Sequence, residues 1–435
     1  MRSLAILAAA VLLISCGGSE RGQGLYIQRF FGECTSDYGT ATNVAKAEGE
    51  CGIVTTMINA FRAAHPQAEV SQNVVAWPGY SQLTSQMAAR QPPDVVTMHS
   101  GVIPDYAGKD LLEPVEPYLA AAGIAPAAFT PAARQGVTWN GRMYGLPWDT
   151  HGGLWHINLA LFRQAGLVGA DGRPILPKSP EELLAQGRQF RERTGKPYLI
   201  QSLVGDPAGA ARTLYTYMLA QGAPIFPQPN RIALDTPEGR RVATLFRQVT
   251  AEGIGTSNMD TPAAIAAFMN GEGGVYPTGT WMIGQFETEE RTPGRPLHRA
   301  YAVAPFPKLY GQNVMFVSGH AWVVPKRERT VAERQAVADF FRFMAARNGD
   351  WARTGHLPAL RAAIEGPAFL SLPHRRDIAI VASIGRALPD GVMRQSAVEG
   401  LVGEEMAAAI TGQKPVQQAL RDGERRVNEF LAEVQ

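Results

Sequence analysis

The chain has 435 residues and a formal net charge of +2, with 45% hydrophobic residues. A nearly neutral chain without basic clusters argues against nucleic acid as a partner, and the apolar content argues against disorder. The length predicts two or more lobes rather than one core.

The first element is an export signal over residues 1–15. Arg2 supplies a short positive region, residues 4–14 form an apolar run too short to stay in a bilayer, and small residues close it. The ending Leu13-Ile14-Ser15-Cys16 resembles the lipobox of bacterial lipoproteins, which implies that Cys16 becomes the lipidated first residue. The alternative is an ordinary signal peptide with a chance cysteine. Residues 16–24 read as a flexible tether. No later segment holds eighteen uninterrupted apolar residues, so a lipid is the one membrane attachment expected. Export also places Cys34 and Cys51 in an oxidising compartment, where a disulfide contributing on the order of 3 kcal/mol is expected. Two cysteines without C-x-x-C or H-E-x-x-H offer no metal-ligand spacing, so neither a metal nor another cofactor is expected.

A strand is predicted over residues 25–31 and a helix over 52–65, where Ile53, Met57, Ile58 and Phe61 recur at helical spacing before Pro66. A strand over 69–76, a helix over 80–90 and a buried strand over 94–98 follow. This alternation predicts an α/β fold with a parallel sheet, whose ligands sit beyond the carboxyl ends of the strands. Residues 143–158 read as two strand-like pieces around a polar, glycine-containing turn. Helices at 159–165, 180–194, 210–221, 237–252 and 262–269 alternate with a strand at 198–202. Strands at 300–305 and 313–324 and an amphipathic helix at 333–346, with Val337, Phe340, Phe341 and Met344 on one face, lead into a mostly helical tail.

Several segments in this order resemble the extracellular solute-binding proteins of bacterial ABC importers that serve sugars. They include "PPDVVTMHSGVIPDYAGKDLLEPV", "YGLPWDTHGGLWHINLALFRQAGL", "FMNGEGGVYPTGTWMIGQF", "SGHAWVVPKRE" and "GHLPAL". The resemblance implies a maltose-binding-protein-like, two-lobe periplasmic-binding-protein fold, each lobe a sheet flanked by helices with a ligand cleft between them. Lobe one would take residues 24–152 plus 318–347, and lobe two 153–317 plus 348–435. It further implies a monomeric receptor of the periplasm or cell surface, tethered only by its lipid, that hands a carbohydrate to permease subunits of an ABC transporter.

Trp281 matches the family's glycine-then-tryptophan position at the cleft. An aromatic plate covers the C–H face of a sugar ring, so Trp281 is read as a stacking platform, the alternative being a core residue packed on Phe268 and Phe286. Asp149 and His151 fall on the first crossover between lobes. There Asp149 either accepts ligand hydroxyls or caps its own turn. His99 follows a strand end, where the open-sheet rule expects a ligand; some sugar binders place an aromatic residue there, and Met98-His99 departs from that. Ser318, Gly319 and His320 lie on the second crossover. Tyr80, Trp77 and Arg394 are weaker candidates, with helix packing or solvation as alternatives. Trp155 and Trp322 are expected in the core.

Two other functions remain open from the sequence. A secreted carbohydrate-active enzyme is disfavoured by the lack of G-x-S-x-G, P-loop and metal motifs, so no catalytic residue is assigned. A binder of a phosphorylated polyol or another small polar solute is compatible with Arg394 and the histidines.

Overall fold

The computed structural model describes residues 24–205 and 207–433. The expected signal, most of the tether and Cys16 lie outside the described residues. Among the described residues, no helix is long and apolar enough to cross a membrane. Cys34 and Cys51 are bonded, as the sequence predicts.

Two sheets organise the chain, and their strands are numbered here in chain order. The first sheet holds β1 (Leu25–Arg29), β2 (Val70–Val74), β3 (Val95–His99) and β4 (Leu146–Pro147). The second is built on β5 (Asp149–Asn158), β6 (Val275–Gly279), β7 (Tyr301–Pro305) and β8 (Met315–Ser318). Then β9 (His320–Val323) returns to the first sheet, and β10 (Leu357–Pro358) and β11 (Gly385–Arg386) join the second. The first sheet runs β2-β1-β3-β9-β4, with β1 parallel to both neighbours and β9 antiparallel to β3. In the second, β5 is antiparallel to β6, β7, β8 and β10.

The predicted amphipathic helices supply the cover. Helix Gly49–Ala64 buries Ile53, Met57, Ile58 and Phe61, and Val331–Ala346 buries Val337, Phe340, Phe341 and Met344. A reciprocal Thr330–Glu333 capping box fixes the start of the second helix by satisfying backbone N–H groups that have no partner within it. Both helices pack on the core of the first sheet with Trp148 and Trp322. On β5 the period of two sends Trp155 and Leu154 into different core clusters on opposite faces.

One expectation changes. Residues 149–153 are not a turn but the first half of a continuous ten-residue strand. Its glycines serve close packing: a Cβ on Gly153 would meet the Phe306 ring at 2.5 Å, and one on Gly152 would meet Val317 at 3.0 Å. The segment after the helix Val331–Ala346 contacts both sheets. Trp351 and Ala359 belong to the core of the first sheet, whereas β10 between them pairs with Asp149 and Thr150 of the second. The buried Trp351 ring packs against Phe31 and Trp148.

Candidate ligand-binding site

Strand register assembles the site. On the first sheet His320 of β9 stands opposite His99 of β3, and on the second Ser318 of β8 stands opposite His151 of β5. Gly319 is the single residue between these two pairings. A Cβ there would lie 2.3 Å from the Asp149 carbonyl oxygen, so glycine is what lets the chain pass between the sheets. Ser100 pins this point: its N–H donates to the Gly319 carbonyl at 2.8 Å, and its hydroxyl accepts from the Gly319 N–H at 3.1 Å. The outcome is a histidine cluster, with ring centroids 4.3 Å apart for His99 and His320, 4.9 Å for His151 and His320, and 5.4 Å for His99 and His151. His356 joins from the loop before β10, 5.3 Å from His320.

Asp149 lies under this cluster, with its side chain sealed from solvent. It accepts from His320 Nδ1 at 2.9 and 3.0 Å, from the His320 backbone N–H at 3.0 Å and from the Trp351 indole N–H at 2.7 Å. Burial alone raises the pKa of a carboxyl, but His320 and His356 outweigh it and hold Asp149 well below the usual carboxylate range. Burial lowers that of His356, yet Asp149 and Glu50 together raise it above the ordinary imidazole value. Glu50 itself is held low, against its burial, by the His356 hydrogen bond at 2.6 Å. For His99 and His151, burial and then the neighbouring His320 push the imidazoles well below their ordinary range, so both are neutral at neutral pH. The floor of the cleft thus carries a buried carboxylate–imidazole network capped by two neutral rings.

Trp281 follows β6 in a single turn of 3-10 helix and is 38% exposed. Its ring folds back over Gly279, where a Cβ would lie 2.0 Å from the indole, and meets His151 edge-on at 5.6 Å. It separates two cavities. One, of about 180 Å³, is lined by His151, Ser202, Arg212, Thr261 and Ser318. The other, about 550 Å³, opens between Glu50 and Arg353 on one side and Gln285 on the other. Trp77 flanks the opposite end of the histidine pair. It is 67% exposed, and its indole N–H donates to His99 Nε2 at 3.3 Å.

The structure gathers His99, His151, Ser318, His320 and Trp281 at one place. Asp149 is there too, but its oxygens are taken by His320 and Trp351 beneath the cleft, so it orients a ring instead of offering acceptors to a ligand. Tyr80 stands behind the site: its hydroxyl accepts from the His99 N–H at 3.0 Å, and burial raises its pKa. Arg394 does not line either cavity beside Trp281. Its guanidinium lies over the Phe430 ring at 5.6 Å, and its backbone N–H donates to Asp105. Arg212, Ser202, Thr261, Glu50 and His356 are contributions that sequence reasoning missed. His356 falls inside the quoted "GHLPAL" segment, where a buried histidine followed by a Leu-Pro strand was the available signal. The other four sit on helices, strands or loops of unremarkable local pattern. Sequence spacing shows no metal-ligand set, and the fold brings ring nitrogens of His99, His151 and His320 within 4.8 Å of one another.

Residues 47–349 match the family described as bacterial extracellular solute-binding protein. No curated protein matches the chain. Among solved structures, the chain is similar to the sugar-binding protein MalE from the phytopathogen Xanthomonas citri, at 18% identity and a TM-score of 0.78, covering 94% of this chain and 98% of that one. It is similar to the cyclic α-maltosyl-1,6-maltose binding protein from Arthrobacter globiformis, at 20% identity and a TM-score of 0.74, covering 94% and 98%. The GacH receptor of Streptomyces glaucescens, solved unliganded and with acarbose, gives 16% identity and a TM-score of 0.74 over 94% and 99%. These likenesses bear out the two-lobe periplasmic-binding-protein fold expected from the sequence. With well over half of its length matched, the chain belongs to the bacterial extracellular solute-binding protein family.

Proposed function

We propose that the protein captures a neutral carbohydrate between its lobes and passes it, unchanged, to the permease subunits of an ABC importer. The observation that carries this reading is the exposure of two indoles, Trp77 and Trp281, at the ends of the His99–His151 pair. Two indoles over a polar floor of serine, threonine and neutral imidazole suit a ligand with apolar ring faces and a rim of hydroxyls. Similar folds bind cyclic α-maltosyl-1,6-maltose and acarbose, which makes maltose-containing oligosaccharides the first compounds to screen. In the same reading Cys16 carries a lipid that holds a monomeric receptor at the periplasmic or outer cell surface.

The phosphorylated-polyol alternative loses its support in the geometry. Arg394 lies away from the two cavities beside Trp281, and Arg212, which lines the smaller one with His151, is already paired with Glu399 at 2.8 Å. Hydrolysis is the remaining competitor. Thermal-shift screening against sugars, sugar phosphates, polyols and polyamines tests the ligand class, and chromatography of the recovered ligand tests for turnover. Stabilisation by a neutral sugar recovered intact is the expected result. Stabilisation by phosphorylated compounds alone would replace the reading.

A further inference from the structure

We propose that His99, His151 and His320 form a binding site for one divalent transition-metal ion of the zinc class at the floor of the cleft. The site lies in the same cleft as the proposed carbohydrate but does not depend on it.

The spacing fits first. Zinc binds imidazole nitrogen at about 2.0–2.1 Å, so two nitrogens on a tetrahedral ion stand roughly 3.3–3.4 Å apart. His99 Nε2 and His320 Nε2 are 3.3 Å apart, and one ring nitrogen of His151 lies within 4.8 Å of both. Closing that remaining gap asks for up to about 1.5 Å of ring movement at one residue.

Proton bookkeeping around these rings favours a cation as well. The ionised Asp149 carboxylate can only accept, so His320 Nδ1 carries a proton and Nε2 is left facing the cleft. His99 Nε2 already accepts from the Trp77 indole N–H. His320 Nε2 lies 3.3 Å from that nitrogen, so once Trp77 turns away the two can ligate one ion together. The third ring supplies the independent sign: His151 is 4% exposed, and its Nε2 is buried without a hydrogen-bond partner. A bound ion would satisfy this buried polar atom, which has no protein partner.

The layer beneath is that of a metal site. Asp149, bound to His320 Nδ1, makes a carboxylate–histidine pair, the arrangement that fixes ring orientation and raises ligand basicity. Asp149, His320 and His356 also approach one another closely. That lower group is already consumed, because Trp351 and His320 occupy Asp149 while Glu50 holds His356. In the upper trio His99 Nε2 is held only by the exposed Trp77 indole, and His151 Nε2 has no hydrogen-bond partner. His151 and Ser318 line the cavity beside Trp281, so a fourth position of the ion would face that cavity. Loading requires the exposed Trp77 side chain to turn off His99.

The test uses zinc chloride alone, with no carbohydrate, so its failure leaves the sugar reading standing and failure of the sugar screen leaves this one standing. Full-length mature protein is stripped with chelator, dialysed and titrated by calorimetry. One ion per chain is expected, with binding weakened more than about hundredfold by His99→Gln or His151→Gln, and roughly 10–100-fold by Asp149→Asn, the range for loss of an outer-shell partner. His65→Gln, outside the cluster, should bind as the unaltered protein does. Because a buried substitution can impair folding, cobalt(II) absorption of the unaltered protein is the second readout. The intense visible bands of four-coordinate cobalt with nitrogen ligands are expected. An aquo-like spectrum, no uptake, or uptake unchanged in both His99→Gln and His151→Gln would overturn the proposal.

Discussion

Asp149 and His320 form the central pairing of the cleft: both carboxylate oxygens receive the His320 Nδ1 proton, at 2.9 and 3.0 Å, in a place sealed from solvent. Removing the charge of Asp149 leaves His320, His356 and the Trp351 indole around an uncompensated site. Breaking a buried pair in this way costs about 3–5 kcal/mol. Asp149→Asn is therefore expected to lose most of that in urea denaturation. A change below about 0.5 kcal/mol would show that the network is not structural.

The two exposed indoles should separate affinity from stability. Trp281→Ala is expected to weaken ligand binding by roughly 2–4 kcal/mol, from lost aromatic contact area, with Trp281→Phe recovering part. The ligand-free melting temperature should move much less than for a core tryptophan, whose removal costs about 3–5 kcal/mol. Trp77→Ala should behave alike, with a stability change within about 0.5 kcal/mol at so exposed a position. A large fall in melting temperature with normal affinity would return Trp281 to the core.

Gly319 is a packing requirement between the sheets. Gly319→Ala places a methyl group against the Asp149 carbonyl, backbone that no rotamer change can clear. Overpacking of this kind costs about 1–3 kcal/mol, and the strain falls on the step that sets His320 opposite His99. Chemical denaturation together with ligand titration should show both losses. An unaffected variant would mean that the two sheets slide apart freely there.

His156 provides a pH signature. Burial lowers its pKa to about 3, while its Nδ1 accepts from the Tyr301 hydroxyl at 2.7 Å and its Nε2–H donates to the Gly279 carbonyl at 3.2 Å. The unfolded chain takes up the proton near its ordinary value of 6.5, whereas the folded chain refuses it until about 3. The stability contribution is complete above about pH 6.5 and is lost as pH falls from there toward 3. Between pH 6.5 and 5 this amounts to about 2 kcal/mol. In His156→Gln that part of the slope should vanish. An identical pH profile in the variant would contradict the assignment.

The disulfide should matter mainly to the unfolded chain. Replacing both Cys34 and Cys51 by serine opens a loop of sequence separation 17 and is expected to cost about 3 kcal/mol. Equal denaturation midpoints for the two proteins would rule that out.

Local pattern carried much of this architecture. The spacing of Ile53, Met57, Ile58 and Phe61, and that of Val337, Phe340, Phe341 and Met344, names faces that are buried, because an amphipathic helix has one way to lie on a sheet. The strand over 149–158 was less legible, since its glycines resemble a turn until Phe306 and Val317 are seen to need the room. The site shows the same division. Trp281 could be singled out because it falls at the glycine-then-tryptophan position of the resembled family. The histidine cluster could not, because His99, His151 and His320 meet only through register across two sheets. Asp149 shows the limit most plainly: a polar residue at a crossover reads as a ligand contact, and only three-dimensional packing reveals that its acceptors are already used.

Isothermal titration of the mature protein with maltose-containing oligosaccharides, followed by chromatography of the recovered ligand, tests the central claim most directly. The expected result is saturable, reversible binding of one sugar per chain, intact ligand on recovery, and marked weakening in Trp281→Ala. Absence of heat with every neutral carbohydrate from folded protein, or recovery of cleaved sugar, would contradict it.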